Sequence, residues 1–253
     1  MRIGVLALQG GFAEHVSHLR KAAANEGKED LVDVVEVRTA EELECCHALV
    51  IPGGESTCMA HICEQNKLLD PLRAFCATHP VWGTCAGMIF LAKSIQDGQK
   101  KGGQSLIGNM DISVNRNFFG NQVHSFETSM KIPEKYMSGN DLFRAVFIRA
   151  PAILMDKESS PEGVEYLSVL ELDAPVKLDE TRTVDKVAVA AKQNHILVTA
   201  FHPELTSDSR WHALFVQMAA EHCEKGGKGM QDKKAFPKTP LPLVEIPYLP
   251  ALC

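Results

Sequence analysis

Short apolar runs alternate with amphipathic segments along the first 92 residues of the chain. The runs are typical of strands buried in a parallel sheet, and they occupy residues 3–8, 31–37, 48–51 and 81–82. Helical spacing predicts helices over residues 12–23, 57–65, 71–78 and 86–92, with Asp70 and Pro71 as N-cap and first residue of the third. A capping box at Thr39-Ala40-Glu41-Glu42 predicts a further short helix. This alternation favours an α/β fold with right-handed crossovers.

After Ser94 the pattern changes to short extended runs with turns between them. The runs occupy residues 112–114, 125–132, 145–148, 152–155, 166–172 and 187–191, and they predict antiparallel strands added to the same core. The charged residues 173–185 predict a hairpin or an insertion. A last buried strand is expected at 196–201, followed by a helix that Ser207-Asp208 caps. Residues 224–253 are Lys/Gly-rich and then Pro-rich, which predicts a flexible or extended tail, or an arm that docks on a partner.

Composition limits the class of protein. A chain of 253 residues with 45% hydrophobic and 23% charged residues is an ordinary globular protein, and a net charge of −6 argues against a nucleic-acid surface. The apolar N-terminus stops at Gln9-Gly10-Gly11, too soon for a signal peptide, and no apolar run is long enough to span a membrane. Eight cysteines without a CxxC pair indicate reduced thiols and a cytoplasmic location.

The segment Gly83-Thr84-Cys85-Ala86-Gly87 stands between a predicted strand and a predicted helix. It is the thiol form of a nucleophile elbow, in which flanking glycines allow a sharp turn that presents the nucleophile. The helix N-terminus favours a thiolate at Cys85, and the N–H of Ala86 is available to stabilise an oxyanion. The alternative is a buried structural cysteine.

Two further strand ends supply chemistry that suits a catalytic thiol. His202 closes the last predicted strand, and Glu204, two residues later, shares its side if the extended geometry continues through Pro203. An imidazole held by a carboxylate is the base that such a thiol needs. Pro52-Gly53-Gly54-Glu55-Ser56 ends the third strand, and its glycines allow backbone N–H groups to face a ligand closely. The alternative is an ordinary turn capped by Ser56.

Six motifs in this order resemble those of a known family. They are Ala7-Leu8-Gln9-Gly10, Pro52-Gly53-Gly54-Glu55-Ser56-Thr57, Val81-Trp82-Gly83-Thr84-Cys85-Ala86-Gly87, Arg116-Asn117 with Phe119-Gly120, Phe147-Ile148-Arg149-Ala150-Pro151 and Phe201-His202-Pro203-Glu204-Leu205. The family is the glutaminase subunits of two-component pyridoxal 5′-phosphate synthases, which are class I, triad-type glutamine amidotransferases. The resemblance covers about residues 1–223, which we expect to form one amidotransferase domain, with 224–253 as the tail.

The resemblance implies a fold, a reaction and a partner. The fold is a flavodoxin-like α/β three-layer sandwich, with a mixed, mostly parallel central sheet flanked by helices. The reaction is hydrolysis of L-glutamine to glutamate and ammonia without a cofactor or metal, and ammonia passes to a (βα)₈-barrel synthase subunit in a hetero-oligomer. The implied residues are Cys85, His202 and Glu204 as the triad, Gly54 and Ala86 as the oxyanion hole, and Gly54, Glu55, Ser56, Arg116, Ile148 and Arg149 as the glutamine site.

Departures from the family and rival functions remain open at this point. Bacterial members often carry arginine where this chain has Asn121, and residues 96–103 and 173–185 and the tail look like additions. One rival is the glutaminase of another pathway, and the particular residues of the motifs at 53–56 and 82–87 argue against it. The other is a chaperone or redox sensor without catalysis. It needs only the thiol, so His202 and Glu204 argue against it.

Overall fold

A computed structural model describes residues 1–96, 103–120, 125–139, 142–155, 161–178, 180, 182–226 and 236. Its strands are β1 (Arg2–Leu6), β2 (Asp33–Val37), β3 (Ala48–Ile51), β4 (Val81–Thr84), β5 (Ala92–Ile95), β6 (Met110–Asn115), β7 (Phe126–Lys131), β8 (Leu142–Phe147), β9 (Ala152–Ile153), β10 (Val164–Lys177), β11 (Thr183–Gln193) and β12 (Ile196–Thr199). Its α-helices are α1 (Phe12–Asn25), α2 (Ala40–Glu44), α3 (Ser56–Gln65), α4 (Leu69–Cys76), α5 (Ala86–Leu91) and α6 (Arg210–Glu224), and Pro203–Leu205 form a 3₁₀ turn.

A mixed sheet organises the described part of the chain. Its strand order is β2-β1-β3-β4-β12-β11-β9-β6-β5, with β10 paired to β11 outside this path. The first five strands are mutually parallel, and the hairpin strands β10, β11 and β12 pair antiparallel. The predicted α/β class with a mixed, mostly parallel sheet is therefore confirmed.

Helices flank the sheet in two groups. The β1–α1–β2 connection and the β3-to-β4 connection advance in opposite directions along the sheet. Right-handed crossovers in opposite directions place their helices on opposite faces. Accordingly α1 packs on α6, while α2 packs on α4, and α3 packs on α4 and α5. The largest fully buried side chains include Trp82, Phe90, Phe147, Phe201, Trp211 and Phe215.

The order of the parallel strands decides where the site lies. β1, β3, β4 and β12 are consecutive in the sheet and run in one direction, so their carboxyl ends meet at one edge. Gln9, Gly53, Cys85 and His202 each follow one of these strands within a few residues. Four segments that are separate in sequence are thus brought to the crevice where open α/β sheets bind ligands.

The strands after α5 were predicted to add to the core as antiparallel strands, and this prediction is only partly right. β5 was not predicted, and it pairs parallel with β6. β7 and β8 form a separate two-stranded sheet rather than joining the main one. Residues 173–185, of which 179 and 181 lie outside the described residues, belong to the β10–β11 hairpin, so the hairpin expectation is confirmed.

Helix caps show what local signals miss. The box at Thr39 is present as predicted, with Glu42 closing it. The Asp70 cap is wrong: α4 begins at Leu69, because buried Leu68 and Leu69 extend the helix toward its N-terminus. The Asp70 carboxylate instead pairs with Arg73, 3.1 Å away.

The last helix and the ends of the chain complete the comparison. α6 begins at Arg210, later than a Ser207-Asp208 cap implies, and Oδ1 of Asp208 accepts from the Arg210 N–H at 3.0 Å. Asn121, residues 97–102 and nearly all of the tail lie outside the described residues. The seven cysteines that the structure describes are free thiols. In the same part of the chain, we find no helix with the length and apolarity that a membrane span requires.

Candidate active site

Cys85 occupies a sharp turn between β4 and α5, as the elbow predicts. Its backbone has φ +48° and ψ −102°, outside the conformations that non-glycine residues usually adopt. A Cβ on Gly87 would lie 2.1 Å from the Ile51 carbonyl oxygen, and one on Gly83 would lie 2.6 Å from the Gly87 backbone. Only glycine therefore fits on either side of the cysteine, and β3, β4 and α5 can approach closely enough to hold the strained turn.

Cys85, His202 and Glu204 lie together. Nδ1 of the His202 imidazole lies 2.8 Å from Oε1 of Glu204, and both His202 and Cys85 line the same cavity. The contact that we predicted is present, but the extended geometry is not, because Pro203 starts a 3₁₀ turn. The turn keeps the carboxylate within hydrogen-bond distance of the ring nitrogen. The backbone N–H of His202 donates to the Val146 carbonyl at 2.8 Å, so β8 helps to fix the imidazole.

The protonation equilibria of this trio favour an imidazolium. Burial alone would lower the pKa of His202, but the hydrogen bonds and charges of Cys85 and Glu204 outweigh it and raise that pKa to about 10. Burial would likewise raise the pKa of Glu204, and the neighbouring His15 and His202 bring it below its usual value. A charged imidazole between a thiol and a carboxylate is suited to nucleophilic catalysis.

The loop after β3 lies directly against Cys85 and His202. A Cβ on Gly53 would lie 2.5 Å from Cε1 of His202 and 3.3 Å from the Cys85 Cβ. Gly54 has φ +141°, which L side chains rarely adopt, and a Cβ there would meet the Gln9 amide at 2.9 Å. Oε1 of Gln9 accepts from the Glu55 N–H at 3.1 Å, and its Nε2 donates to the Glu55 carbonyl at 2.7 Å. Gln9 thus clamps the loop in its present conformation.

The predicted glutamine-site residues converge on one cavity of about 140 Å³. The cavity is lined by Gly54, Glu55, Ser56, Cys85, Ile89, Arg116, Asn117, Ile148, Arg149 and His202. Every residue that the resemblance assigned to glutamine binding lies in this lining. Ile89 and Asn117 are additions; Asn117 stands within a motif that was recognised, whereas Ile89 gave no signal beyond its helical apolar position.

Charged side chains hold one wall of the cavity. Nη2 of buried Arg116 donates to Oε1 of Glu55 at 2.7 Å. Oε2 of Glu55 accepts from the Cys58 N–H at 2.8 Å and from the Thr57 hydroxyl, so Glu55 rather than Ser56 caps α3. Arg149 is exposed and has φ +46°, and it follows Ile148 at the end of the β7–β8 sheet. The charge of Arg116 is therefore balanced by Glu55, whereas the exposed Arg149 lies where the cavity opens to solvent.

Sequence reasoning missed a set of polar residues behind the site. The missed residues are Gln9, His15, Thr84 and His212. Gln9 stood in a recognised motif without a role, and His15 was placed by helical spacing on the inner face of α1. Among the residues that the structure describes, no group of three His, Cys, Asp or Glu is arranged to hold a metal ion.

Comparison with known proteins decides the family. The profile of the SNO glutamine amidotransferase family matches residues 5–221. The chain is therefore a glutamine amidotransferase of the SNO family. This amidotransferase is 44% identical over 246 residues to the Arabidopsis thaliana protein named Probable pyridoxal 5′-phosphate synthase subunit PDX2, with 92% of this chain and 91% of that protein covered. It is also 44% identical over 217 residues to pyridoxal 5′-phosphate synthase subunit PdxT of Herpetosiphon aurantiacus, with 85% of this chain and 99% of that protein covered.

Solved structures agree with this assignment of the SNO amidotransferase. A crystal structure of a glutamine amidotransferase superposes with a TM-score of 0.65 at 36% identity, over 86% of this chain and 98% of the other. A glutamine amidotransferase from Thermotoga maritima shares the fold at 14% identity, with a TM-score of 0.51 over 89% of this chain and 85% of the other. The predicted class I amidotransferase fold and the predicted family are both confirmed.

Proposed function

We propose that this amidotransferase is the glutaminase subunit of a pyridoxal 5′-phosphate synthase. It hydrolyses L-glutamine to L-glutamate and ammonia through Cys85, His202 and Glu204, and it delivers the ammonia to a (βα)₈-barrel synthase subunit. The observation that carries the proposal is that Cys85 and the His202 imidazole, which Glu204 holds at 2.8 Å, line the same cavity as Arg116, Ile148 and Arg149. The names of the relatives support the choice of pathway.

Glutamine is held by charges of both signs. The exposed Arg149 guanidinium suits the α-carboxylate, which it can bind bidentately. The Glu55 carboxylate faces the same cavity and suits the α-ammonium, while Arg116 keeps that carboxylate in place. Ile148 covers the aliphatic part of the substrate. The side-chain amide then reaches Cys85 at the inner end.

The chemistry proceeds through a thioester. The thiolate of Cys85 attacks the side-chain amide carbon, and the N–H of Ala86 and the Gly53-Gly54 loop stabilise the oxyanion. The imidazolium of His202 gives its proton to the nitrogen, the C–N bond breaks and ammonia leaves. His202 then takes a proton from water, which attacks the thioester and releases glutamate with the thiolate restored. Glu204 holds the imidazole in one tautomer and stabilises its charge.

A partner is required because released ammonia must reach an acceptor. We expect the isolated chain to be nearly inactive, with the oxyanion hole completed only when the synthase subunit docks. Gly54, held by Gln9 in a conformation that glycine alone adopts easily, is the natural point for a backbone change. A hundredfold activation needs only about 2.7 kcal/mol of differential affinity between the two states.

The test is glutamate release at saturating glutamine, with and without the synthase subunit. We expect turnover only in the complex, and none for Cys85→Ala, whose complex still makes product when ammonium salts are supplied. Equal turnover of the isolated chain would favour a stand-alone hydrolase or another pathway. Full glutaminase activity of Cys85→Ala would refute the mechanism, and an inactive wild type that still responds to oxidants would favour a redox sensor.

A further inference from the structure

A histidine pair lies behind the proposed triad, on the side away from the cavity. His15 of α1 and His212 of α6 are both fully buried, and Nδ1 of His15 lies 3.0 Å from Nε2 of His212. The other nitrogen of His15, Nε2, lies 3.4 Å from Oε2 of Glu204 and 3.2 Å from the Thr84 hydroxyl oxygen. His15 therefore contacts the carboxylate oxygen that His202 does not use.

Burial keeps both histidines neutral. It lowers the pKa of His15 to about 4, even though the Glu204 charge acts in the opposite direction, and it lowers the pKa of His212 well below its usual value. Aromatic rings enclose the pair: Trp82 meets both rings edge-on, at 5.4 Å and 4.9 Å between centroids, and His18 stacks on His212 at 4.8 Å. Each histidine therefore carries one N–H, and its position matters.

The contacts select one arrangement of these protons. If Nε2 of His15 carries the proton, the N–H lies between the Thr84 hydroxyl oxygen, to which it donates, and the negatively charged Oε2 of Glu204, and Nδ1 accepts from the Nε2–H of His212. In the reverse arrangement a nitrogen lone pair would face the carboxylate. The Nδ1–H of His212 would then be buried without an acceptor, since that atom has no partner among the described residues. The first arrangement leaves no buried donor unpaired in this chain of groups.

We propose that His15 is a positioning residue for catalysis: its Nε2–H, held in that tautomer by His212, fixes the Glu204 carboxylate against His202. The inference rests on the proposed function of the triad. The carboxylate is only 5% exposed, and its Oε2 has no hydrogen bond of ordinary geometry among the described residues, so the His15 Nε2–H at 3.4 Å is a polar group that can hold that oxygen. A carboxylate that is held at Oε1 alone can rotate away from the imidazole. His15 removes that freedom, and so connects α1 and α6 to the reacting groups.

Two amide substitutions that differ by one methylene group separate positioning from packing. In His15→Gln the amide nitrogen can reach the place of Nε2, so the donor to Glu204 is kept; in His15→Asn it reaches only the place of Nδ1. Both replace the ring by a shorter amide. Assayed as the full chain with saturating synthase subunit, His15→Asn should lower kcat about tenfold or more, the loss expected for a hydrogen bond to a charged group. His15→Gln should lose less than about threefold, and KM should stay within about twofold in both.

A double-mutant cycle with Glu204→Gln supplies the second readout. Because His15 acts through Glu204, His15→Asn should cause almost no further loss in the Glu204→Gln background. The proposal would be overturned if His15→Asn and His15→Gln lost kcat equally, or if their losses simply followed their losses in melting temperature. Full additivity in the cycle would also overturn it. If Glu204→Gln itself turns over at the wild-type rate, the triad fails. If Glu204→Gln is impaired and His15→Asn is not, only the role of His15 fails.

Discussion

At the scale of single residues, Cys85 is held in a conformation that costs free energy. A non-glycine residue in such a sparsely populated region costs on the order of 1–3 kcal/mol. Its N–H donates to the Thr199 carbonyl at 2.8 Å, and its carbonyl accepts from Ile89 at 3.2 Å, so β12 and α5 hold both sides of the residue. The result is a thiol at the end of β4, against the His202 imidazole.

Arg149 is predicted to bind the substrate rather than to take part in the chemistry. Arg149→Lys keeps the charge but loses the planar fork, so KM for glutamine should rise about tenfold, while kcat falls less than about twofold. Arg144→Lys is the control, because Arg144 lies on β8, pairs with Glu127 and does not line the cavity. Both variants would be assayed by steady-state kinetics in the synthase complex, and their affinity for glutamine would be measured by calorimetry. If Arg149→Lys binds glutamine as tightly as the wild type, the assignment of Arg149 is wrong.

The residues that line the cavity could be predicted from the sequence, whereas the residues that hold them in place could not. Cys85 and His202 are placed by strand ends, and a strand end is visible in the hydrophobic pattern. His15 looked like an ordinary inward position of α1, because helical spacing says which side a residue faces and not what it meets there. Gln9 hydrogen-bonds to the backbone of Glu55, which is 46 residues later in the chain, and a contact between such distant residues leaves no signal in the local sequence.

At the scale of elements, the approach of β3 to α5 is set by a glycine. Gly87→Ala would place a Cβ 2.1 Å from the Ile51 carbonyl oxygen, which is backbone and cannot move aside cheaply. We expect the free energy of unfolding to fall by roughly 3 kcal/mol or more. In the control, Gly27→Ala, the new Cβ meets nothing within 4 Å but adopts φ +63°, so the loss should be about 1–2 kcal/mol.

Chemical denaturation of Gly87→Ala and Gly27→Ala would check this contrast. If the two variants were equally stable, β3 and α5 would have room to separate, and the close approach of Gly87 to the Ile51 backbone would not be required.

Pairing partners were the part of the fold that apolar runs could not specify. The run at 125–132 predicted a strand, but only the structure shows that it pairs with β8 apart from the main sheet. β5 follows α5 without a turn residue, so it read as the end of that helix. The His202–Glu204 contact was predicted for the wrong reason, since a proline that begins a 3₁₀ turn and one within an extended segment look alike in sequence.

At the scale of the whole molecule, buried neutral histidines make stability depend on pH. Burial lowers the pKa of His15 from 6.5 to about 4, so between these values the unfolded chain binds a proton that the folded chain does not. This contribution is complete above about pH 6.5 and is lost as pH falls toward 4, by up to about 3 kcal/mol for His15 alone. The lowered pKa values of His212 and Glu204 act in the same direction. The raised pKa of His202 acts in the opposite direction, mainly above about pH 6.5, where the unfolded chain loses that proton.

The measurement is the free energy of unfolding in denaturant between about pH 6.5 and about pH 4.5, where His202 is protonated in the folded chain and is becoming fully protonated in the unfolded chain. We expect the free energy of unfolding of the wild type to fall steadily as pH is lowered. For His15→Gln the slope against pH should be shallower, by an amount that corresponds to up to about one proton taken up on unfolding. His61→Gln, at an exposed position of α3, is the control and should keep the wild-type slope. A slope for His15→Gln equal to that of the wild type would mean that His15 is not held neutral in the folded chain.

The most direct test of the central claim is the site of covalent labelling by a glutamine-analogue electrophile. The full chain with its synthase partner would be treated briefly and mapped by mass spectrometry, with exposed Cys58 as an internal measure of simple accessibility. The account predicts one equivalent of label on Cys85, although it is only 6% exposed, and protection by L-glutamine. Label on Cys58 before Cys85, or labelling of Cys85 that L-glutamine does not slow, would contradict it.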